Sequence, residues 1–343
     1  MLAAAVLLQV VVSSNGQWSE SKKLGSFDTW KGAAMSADGT NMVAMTSTYL
    51  YTSADGGTTW EESNSYSSDW RHVAMSSSGN KAAAVSEFYL AVASLPKPTY
   101  QTQVPWELGS SSDGSLGRNW AGVAVSADGT KLAAASNWGG LWLSSDGGQT
   151  WSVAAGAGPS DRELWQEVAM SSDGSILAGN IMWKGVWMSS DGGTTWSQVL
   201  AVEQEFKSLA MSADGTKMAA LSLAYRHPIW LSSDGGSSWN EAKVDFEANS
   251  IAMSAEGIRM AAAVSNGFQG ALWMSEDAGS TWAEISSPGL PAREPWVHVA
   301  MSPDGSKILA HIDSGDVWLI SRSCVSSAVA PAMLVMILLR HFC

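Results

Sequence analysis

One phrase recurs seven times in this chain of 343 residues, and it constrains the fold more than any other feature. It reads AAMSADG at 33–39 and VAMSSDG at 168–174, and successive copies lie 40 to 50 residues apart. The serines of the copies are Ser36, Ser76, Ser126, Ser171, Ser212, Ser254 and Ser302. A period of this length is typical of propellers and solenoids, in which each repeat is one supersecondary unit.

Each repeat holds four short apolar segments separated by turn residues. In the repeat from Trp165 to Trp196, the segments are WQEVAMS, SILAGN, GVWMSS and TTWSQVL, and SDG and DGG separate the first and last pairs. Asp-Gly between apolar segments is a strong hairpin signal, because glycine reaches positive φ without a Cβ clash. Seven units of four antiparallel strands predict an all-β fold, a seven-bladed β-propeller.

The two ends of the repeat region predict how the ring closes. The seventh repeat stops after DVWLIS at 316–321, and GQWSES at 16–21 precedes the first full repeat, with Trp18 in the expected place of a fourth-strand tryptophan. We therefore expect the N-terminal strand to complete blade seven and leave no open sheet edge. In blade two, SLPKPTYQT at 94–102 replaces the usual second turn, and Trp106 is expected in the fourth-strand position.

A second motif, SxDGGxTW, occupies the turn between the third and fourth strands. It reads MSSDGGTTW at 188–196, with close copies at 52–60, 143–151 and 231–239 and a looser one at 274–282. One carboxylate per turn is too few for Ca²⁺, which takes six to eight oxygens. We expect the aspartates to accept backbone N–H groups of their own turns and the tryptophans to pack between blades. These residues are Asp55, Asp146, Asp191, Asp234, Asp277, Trp60, Trp151, Trp196, Trp239 and Trp282.

This motif resembles the Asp-box, or bacterial neuraminidase repeat, of the sialidase superfamily, and the resemblance covers residues 16–321. In size the chain is most similar to propellers of the photosystem II assembly and stability factor type. The resemblance implies that the Asp-boxes lie away from the catalytic face. The resemblance would imply an arginine in the first repeat and a tyrosine nucleophile late in the chain. Both are absent, because the first repeat opens SFDTWKGAAMS without an arginine and no tyrosine follows Tyr225. We therefore assign no catalytic residue.

Function is expected on the face opposite the repeated turns, because variable loops on a rigid scaffold usually carry it. Two tryptophans fit no repeat position, and further aromatic and basic residues share their face or precede first strands. The predicted ligand-binding residues are Trp138, Trp183, Tyr225, Arg226, His227, Phe268, Arg118, Arg162 and Arg293. The alternative is that the aromatics pack on the next blade and the arginines are solvated partners of Glu163 or Glu294.

Three polar residues share one register at the start of first strands: His72, Glu167 and His298. They would form a metal site only if they converged, and ordinary polar lining of the central channel is the favoured interpretation. We assign no metal and no cofactor. The net charge of −13 excludes nucleic acid as a partner, because phosphate contacts require clustered Lys and Arg.

Both termini are apolar. Residues 1–14 resemble a secretory signal peptide, residues 15–322 form the propeller, and residues 323–343 read as a C-terminal anchor signal or a short membrane segment. Cys324 and Cys343 both lie in this tail, so no disulfide framework is expected in the propeller. The sequence therefore predicts a protein of the secretory pathway that is extracellular or bound at the cell surface.

The expected function is a monomeric, non-catalytic binding or scaffold propeller that recognises a glycan or a protein through its variable-loop face. One alternative is a glycoside hydrolase of the sialidase superfamily with an unrecognised carboxylate pair. A further alternative, implied by resemblance only, is a photosystem assembly factor, which would require a plastid or lumen targeting segment.

Overall fold

The protein is described by a computed structural model that covers residues 18–26, 30–63, 68–95, 106–108, 110–111, 119–159, 163–224, 228–266, 269–291, 293–313 and 316–322. Within these ranges the regular secondary structure consists of β-strands alone, arranged in seven sheets. The N-terminal strand is β1 (Trp18–Ser26), which belongs to blade seven.

Blades one to three hold the next strands along the chain. Blade one contains β2 (Trp30–Met35), β3 (Met42–Thr46), β4 (Leu50–Ser53) and β5 (Glu61–Glu62). Blade two contains β6 (Trp70–Met75), β7 (Lys81–Ser86), β8 (Leu90–Ser94) and β9 (Trp106–Leu108). The short β10 (Ser110–Ser111) pairs in parallel with the outer strand of blade three, which contains β11 (Asn119–Val125), β12 (Leu132–Asn137), β13 (Gly140–Ser144) and β14 (Thr150–Val153).

Blades four to seven repeat the same antiparallel order. Blade four contains β15 (Trp165–Met170), β16 (Leu177–Ile181), β17 (Gly185–Ser189) and β18 (Ser197–Leu200). Blade five contains β19 (Phe206–Met211), β20 (Met218–Ser222), β21 (Ile229–Ser232) and β22 (Asn240–Glu241). Blade six contains β23 (Ala248–Met253), β24 (Met260–Asn266), β25 (Gln269–Ser275) and β26 (Ala283–Glu284), and blade seven contains β27 (Trp296–Met301), β28 (Lys307–Ile312), β29 (Asp316–Arg322) and β1.

The first strands of the blades form the inner ring. Each contacts the first strand of the next blade, and β27 of blade seven contacts β2 of blade one, so the ring is closed. The protein is therefore a seven-bladed β-propeller, as the repeats predict.

The expected closure by the N-terminal strand is confirmed, because β1 pairs antiparallel with β29. The predicted position of one tryptophan is wrong. In blade three, the fourth-strand Trp151 lies two residues before the residue that pairs with the third-strand tryptophan. In blade seven, Lys23 pairs with the third-strand Trp318, so the equivalent position is Ser21. Trp18 instead lies opposite Arg322, because β1 begins before the usual position of the fourth-strand tryptophan.

Blade two keeps the common register despite its different turn. Leu108 lies opposite Ala91, which places Trp106 two residues before this pair, in the position of the fourth-strand tryptophan. The Trp106 side chain is buried against Trp70 and Leu95. The indole therefore fills the same packing site that blades one and three to six fill with the tryptophan of the second motif.

The hydrophobic core consists of seven clusters, one between each pair of neighbouring blades. The cluster between blades three and four centres on Trp165, which is fully buried and meets the Trp196 ring edge-on at 5.6 Å. Complete burial of an aromatic side chain stabilises a fold by a few kcal/mol, at roughly 25 cal/mol per Å². The tryptophan that opens a first strand is thus the main packing residue of its interface.

The turn of the second motif is fixed by its own side chains, as Asp191 illustrates. Its carboxylate accepts the backbone N–H of Thr195 at 2.9 Å and the Ser189 hydroxyl at 2.8 Å. These hydrogen bonds, first of all the backbone one from Thr195, lower the pKa of Asp191 to about 2. Gly192 and Gly193 adopt φ of 71° and 91°, which glycine tolerates best. The four other copies accept equivalent backbone bonds, at Asp55, Asp146, Asp234 and Asp277.

Candidate functional site

The repeated turns and the variable loops occupy opposite ends of the blades. We define the turn face by the turns between first and second strands and between third and fourth strands. The loop face carries the loops between second and third strands and between consecutive blades. Because Asn119 at the start of β11 lies opposite Asn137 at the end of β12, the beginnings of the first strands also lie at the loop face.

Trp138 and Trp183 project from the loop face in the second-to-third loops of blades three and four. Their residues are 64% and 58% exposed, whereas the tryptophans that open first strands are buried. Both have positive φ, 64° for Trp138 and 62° for Trp183. A bulky residue in this left-handed region is unusual and costs about 1–2 kcal/mol. Both indoles are mostly exposed, so burial in the core does not account for the retained backbone strain.

One short segment holds both tryptophan loops, and we call residues 163–164 the strap. The backbone N–H of Trp138 donates to the Glu163 carbonyl at 3.1 Å, and the N–H of Met182 donates to the Leu164 carbonyl at 3.0 Å. Asn137 and Leu164 also form an isolated β-bridge. The loops of two neighbouring blades are therefore attached to the same two residues, which fixes the backbones of the two indoles relative to each other.

An ion pair secures the strap to the loop of blade four. The Glu163 side chain is buried, and Lys184 Nζ donates to its two carboxylate oxygens at 2.9 and 2.8 Å. The Lys184 carbonyl in turn accepts the side-chain amide of Gln198 at 2.7 Å. A buried carboxylate requires such a partner, because desolvation of an unpaired charge is costly. Lys184 directly follows Trp183, so the ion pair also supports that indole.

The structure places one more of the predicted ligand-binding residues and adds a residue that the sequence analysis missed. Arg293 is exposed in the loop before β27, at a φ of 65°. Phe88 is 58% exposed in the second-to-third loop of blade two, next to the blade that carries Trp138. The sequence could have predicted Phe88 as a ligand-binding residue, because it lies in the same type of loop as Trp138 and Trp183. The other predicted residues lie outside the described ranges, and they are Arg118, Arg162, Tyr225, Arg226, His227 and Phe268.

A cavity of about 350 Å³ opens at the centre of the loop face, and we call it the axial cavity. All seven blades line it with residues near the beginning of their first strands. A register shift occurs at this point in every first strand, for example between Trp165 and Glu167. A β-bulge sets two residues of one strand against one of its partner and re-aims side chains. The repeated bulge explains why two successive residues of one blade, Gln166 and Glu167, both line the cavity.

His72 and Glu167 meet in the axial cavity across blade three. Nε2 of His72 lies 3.0 Å from Glu167 Oε1, and the backbone N–H of Val123 donates to Nδ1 at 3.3 Å. Gly122 of blade three packs closely against the backbone of blade four, since an added Cβ would lie 3.0 Å from Glu167 Cα. Burial disfavours the charged imidazole, but the Glu167 carboxylate outweighs burial and raises the pKa of His72.

Two of the basic residues in the cavity wall are paired with acids. Lys31 forms an ion pair with Asp69, and Arg71 lies 3.3 Å from Glu87. Lys207 donates to the Asn249 side-chain oxygen at 3.0 Å, and burial lowers its pKa. The wall thus combines neutralised charges with amide groups.

Blade seven contributes a pair of histidines. The rings of His298 and His311 lie nearly parallel with their centroids 5.7 Å apart, and His298 lines the cavity. Burial lowers the pKa of both residues, and for His298 the nearby His311 and His72 add to the effect. Both rings are therefore neutral at pH 7.

The described ranges contain no group of three or more His, Cys, Asp or Glu side chains arranged to hold a metal ion. His72 and Glu167 do converge, but as a pair in direct contact with each other. Among the described residues, no helix is long and apolar enough to cross a membrane.

Two comparisons place the chain near known proteins. A family model described as "Sortilin, neurotensin receptor 3" matches residues 184–288, from blade four to blade six and less than half of the chain. The GH74 xyloglucanase from Xanthomonas campestris has a similar structure, with a TM-score of 0.66 and 13% sequence identity. The similar region covers 88% of this chain and 53% of the xyloglucanase, so the chain spans about half of that enzyme's length. At this identity the similarity is one of fold. No curated protein sequence matches the chain.

Proposed function

We propose that this protein is a non-catalytic binding propeller that recognises a glycan through its loop face. The observation that carries the proposal is the pair of exposed tryptophans, Trp138 and Trp183, held at positive φ on one shared strap. An exposed indole offers a flat apolar face for stacking, and fixing it in advance lowers the entropy cost of binding.

The surroundings of the indoles favour a sugar over an apolar ligand. Asn137, which directly precedes Trp138, and Gln166 present amide groups at the edge of the axial cavity. A few placed polar groups beside aromatic side chains are typical of a small-molecule site. The fold similarity to a xyloglucanase is compatible with this class of ligand, and the partial match to a receptor family is compatible with a binding role.

A glycan array probed with the full chain tests the proposal. We expect binding to neutral oligosaccharides, and we expect it to fall at least 100-fold when Trp138→Gly and Trp183→Gly are combined, since truncation of a central tryptophan costs about 2 kcal/mol or more at a binding site. Ile258→Ser is the matched control, because Ile258 is an exposed apolar residue in a turn of the opposite face. If no glycan on the array binds and a peptide binds through the two tryptophans instead, the proposed glycan ligand is wrong and the ligand is a protein.

A second candidate, a glycoside hydrolase, is favoured by one specific observation. Glu167 and Glu205 both line the axial cavity, and hydrolysis of a glycosidic bond uses two carboxyl groups about 5–10 Å apart. A panel of chromogenic glycosides tests this candidate against the wild type and Glu205→Gln. Turnover that disappears in the variant establishes the hydrolase, and absence of turnover on all substrates that bind leaves the binding function.

We further propose that the protein enters the secretory pathway and acts outside the cell or at its surface. The apolar residues 1–14 support this location, as does the partial match to a receptor family. Fractionation of cells that express the full chain, with and without residues 323–343, tests it. Recovery of the full chain in the cytosol would refute the location, and release by the truncated chain would identify the tail as the anchor.

A further inference from the structure

We propose that the axial cavity is a second subsite that takes one uncharged, hydroxyl-bearing sugar unit of the same glycan that stacks on Trp138 and Trp183. The inference rests on the proposed function and extends it from the two indoles to the centre of the ring. It also names the class of glycan, which is neutral rather than acidic.

The two subsites are continuous through an amide pair. Asn137 is adjacent to Trp138 in the chain and lines the axial cavity, and its side-chain oxygen accepts the Gln166 amide at 3.2 Å. Gln166 lies in β15, which follows the strap directly. A glycan on the indoles of blades three and four therefore reaches the cavity across Asn137 and Gln166 without crossing another blade.

The charges of the cavity wall favour a neutral ligand. Among the described residues, the lining contains three Lys or Arg side chains, from Lys31, Arg71 and Lys207. It also contains the carboxylates of Glu167 and Glu205, and the ion-pair partners Asp69 and Glu87 add two more. Three positive against four negative charges leave an excess of only one negative charge. A nearly balanced wall gives no net field to attract an ion of either sign.

The hydrogen-bonding groups of the wall suit hydroxyl groups. Three amide side chains, Asn137, Gln166 and Asn249, and two hydroxyls, Ser208 and Ser250, line the cavity. An amide both donates and accepts, as a sugar hydroxyl does, so one side chain can satisfy either orientation. The volume of about 350 Å³ lies at the lower end of the range for small-molecule sites, which is roughly 300–1,000 Å³, so the cavity fits a short unit rather than a long chain.

The His72–Glu167 pair makes this subsite rigid. Both ring nitrogens of His72 are engaged, one by Glu167 and one by the Val123 backbone, so the ring has a fixed orientation. Glu167 is held by the same bond. A polar site that is fixed before binding loses less entropy when the ligand arrives.

The test uses neutral oligosaccharides of two lengths and reads each subsite separately. Cellobiose, mannobiose, cellotetraose and mannotetraose are titrated into the full chain by calorimetry, while the imidazole resonances of His72 and His298 are followed by NMR and assigned with His72→Gln. We expect a tetrasaccharide to shift both resonances and to bind about tenfold more weakly to Gln166→Met, which keeps the side-chain length but removes the amide. We expect Gln166→Met to weaken binding of the disaccharide by a smaller factor than binding of the tetrasaccharide, and Ile258→Ser to change neither affinity.

The outcomes separate this inference from the proposed function. Tetrasaccharide binding that depends on Trp138 and Trp183 but moves neither histidine resonance and tolerates Gln166→Met would overturn the inference and leave the function standing. Tighter binding of tetragalacturonate than of the neutral tetrasaccharides would overturn the neutral class. Absence of binding by every neutral and acidic probe, with the chain folded, would overturn the function and the inference together.

Discussion

Replacing Trp138 and Trp183 by glycine should abolish ligand binding while changing the stability of the propeller only modestly. The reasoning depends on exposure, because Trp138 is 64% and Trp183 is 58% exposed. The parts hidden from water are therefore 36% and 42% of each residue. For a side chain of about 250 Å², this amounts to roughly 100 Å² and to about 2.5 kcal/mol at 25 cal/mol per Å², which is an upper limit.

Two further effects act on the same substitution. Glycine removes the strain of the left-handed backbone at each position, which raises the free energy of unfolding by about 1–2 kcal/mol. Glycine also raises the entropy of the unfolded chain, which lowers the free energy of unfolding by about 0.5–1 kcal/mol. The net expectation is a loss of about 1 kcal/mol per site. Trp165→Ala provides the comparison, because Trp165 is fully buried and its loss should lower the free energy of unfolding by about 3–5 kcal/mol.

Chemical denaturation followed by far-UV circular dichroism measures these differences, and glycan titration measures binding in parallel. The expected result is a double variant about 2 kcal/mol less stable than the wild type, with binding reduced at least 100-fold. A double variant that loses as much stability as Trp165→Ala would show that the two indoles are packing residues. Unchanged glycan affinity in a stable double variant would also refute the assignment.

Three other predictions concern the scaffold and its response to pH. Gly185→Ala should lower the free energy of unfolding by about 3 kcal/mol or more, measured by thermal unfolding, because its Cβ would lie 1.8 Å from a backbone oxygen. Gly235→Ala should lower it by only about 1–2 kcal/mol, the strain of a left-handed backbone, because no atom lies within 4 Å of its Cβ. Equal costs would contradict the steric argument. Deletion of residues 1–26 should expose the edge of β29 and cause association in light scattering, and a stable monomer would contradict closure by β1. Because burial lowers the pKa of His298 and His311, the unfolded chain binds protons that the folded chain does not, so stability should fall as pH drops below about 6.5. His298→Gln with His311→Gln should flatten this slope in denaturation at pH 7.5 and pH 5, and an unchanged slope would exclude the pair as its source.

The number of blades and their internal order are encoded locally. Each copy of the repeated phrase carries its own turn residues, and Gly192 and Gly193 adopt the positive φ that a tight turn requires. Strand alternation and turn position are short-range properties, so the repeats alone predict the propeller and the closure of blade seven by β1. The same periodicity singles out Trp138 and Trp183, because these tryptophans interrupt it.

The register between two strands that are far apart in the sequence is harder to predict from the sequence. The sequence around Trp18 predicts that it occupies the fourth-strand tryptophan position, yet the ladder with β29 puts Ser21 there. Pairing between the first and last strands is set by the hydrogen bonds of β29, which are far away in sequence.

The chemistry of the candidate site depends on contacts between blades, and only the tertiary structure decides these. His72 of blade two and Glu167 of blade four are 95 positions apart in the sequence, and they meet across blade three. The strap that links the two indoles is likewise a contact between neighbouring blades. The sequence by itself determines how each blade is built and which residues depart from the repeat. The closed ring determines which of those residues become neighbours, since its curvature sets the distances between blades.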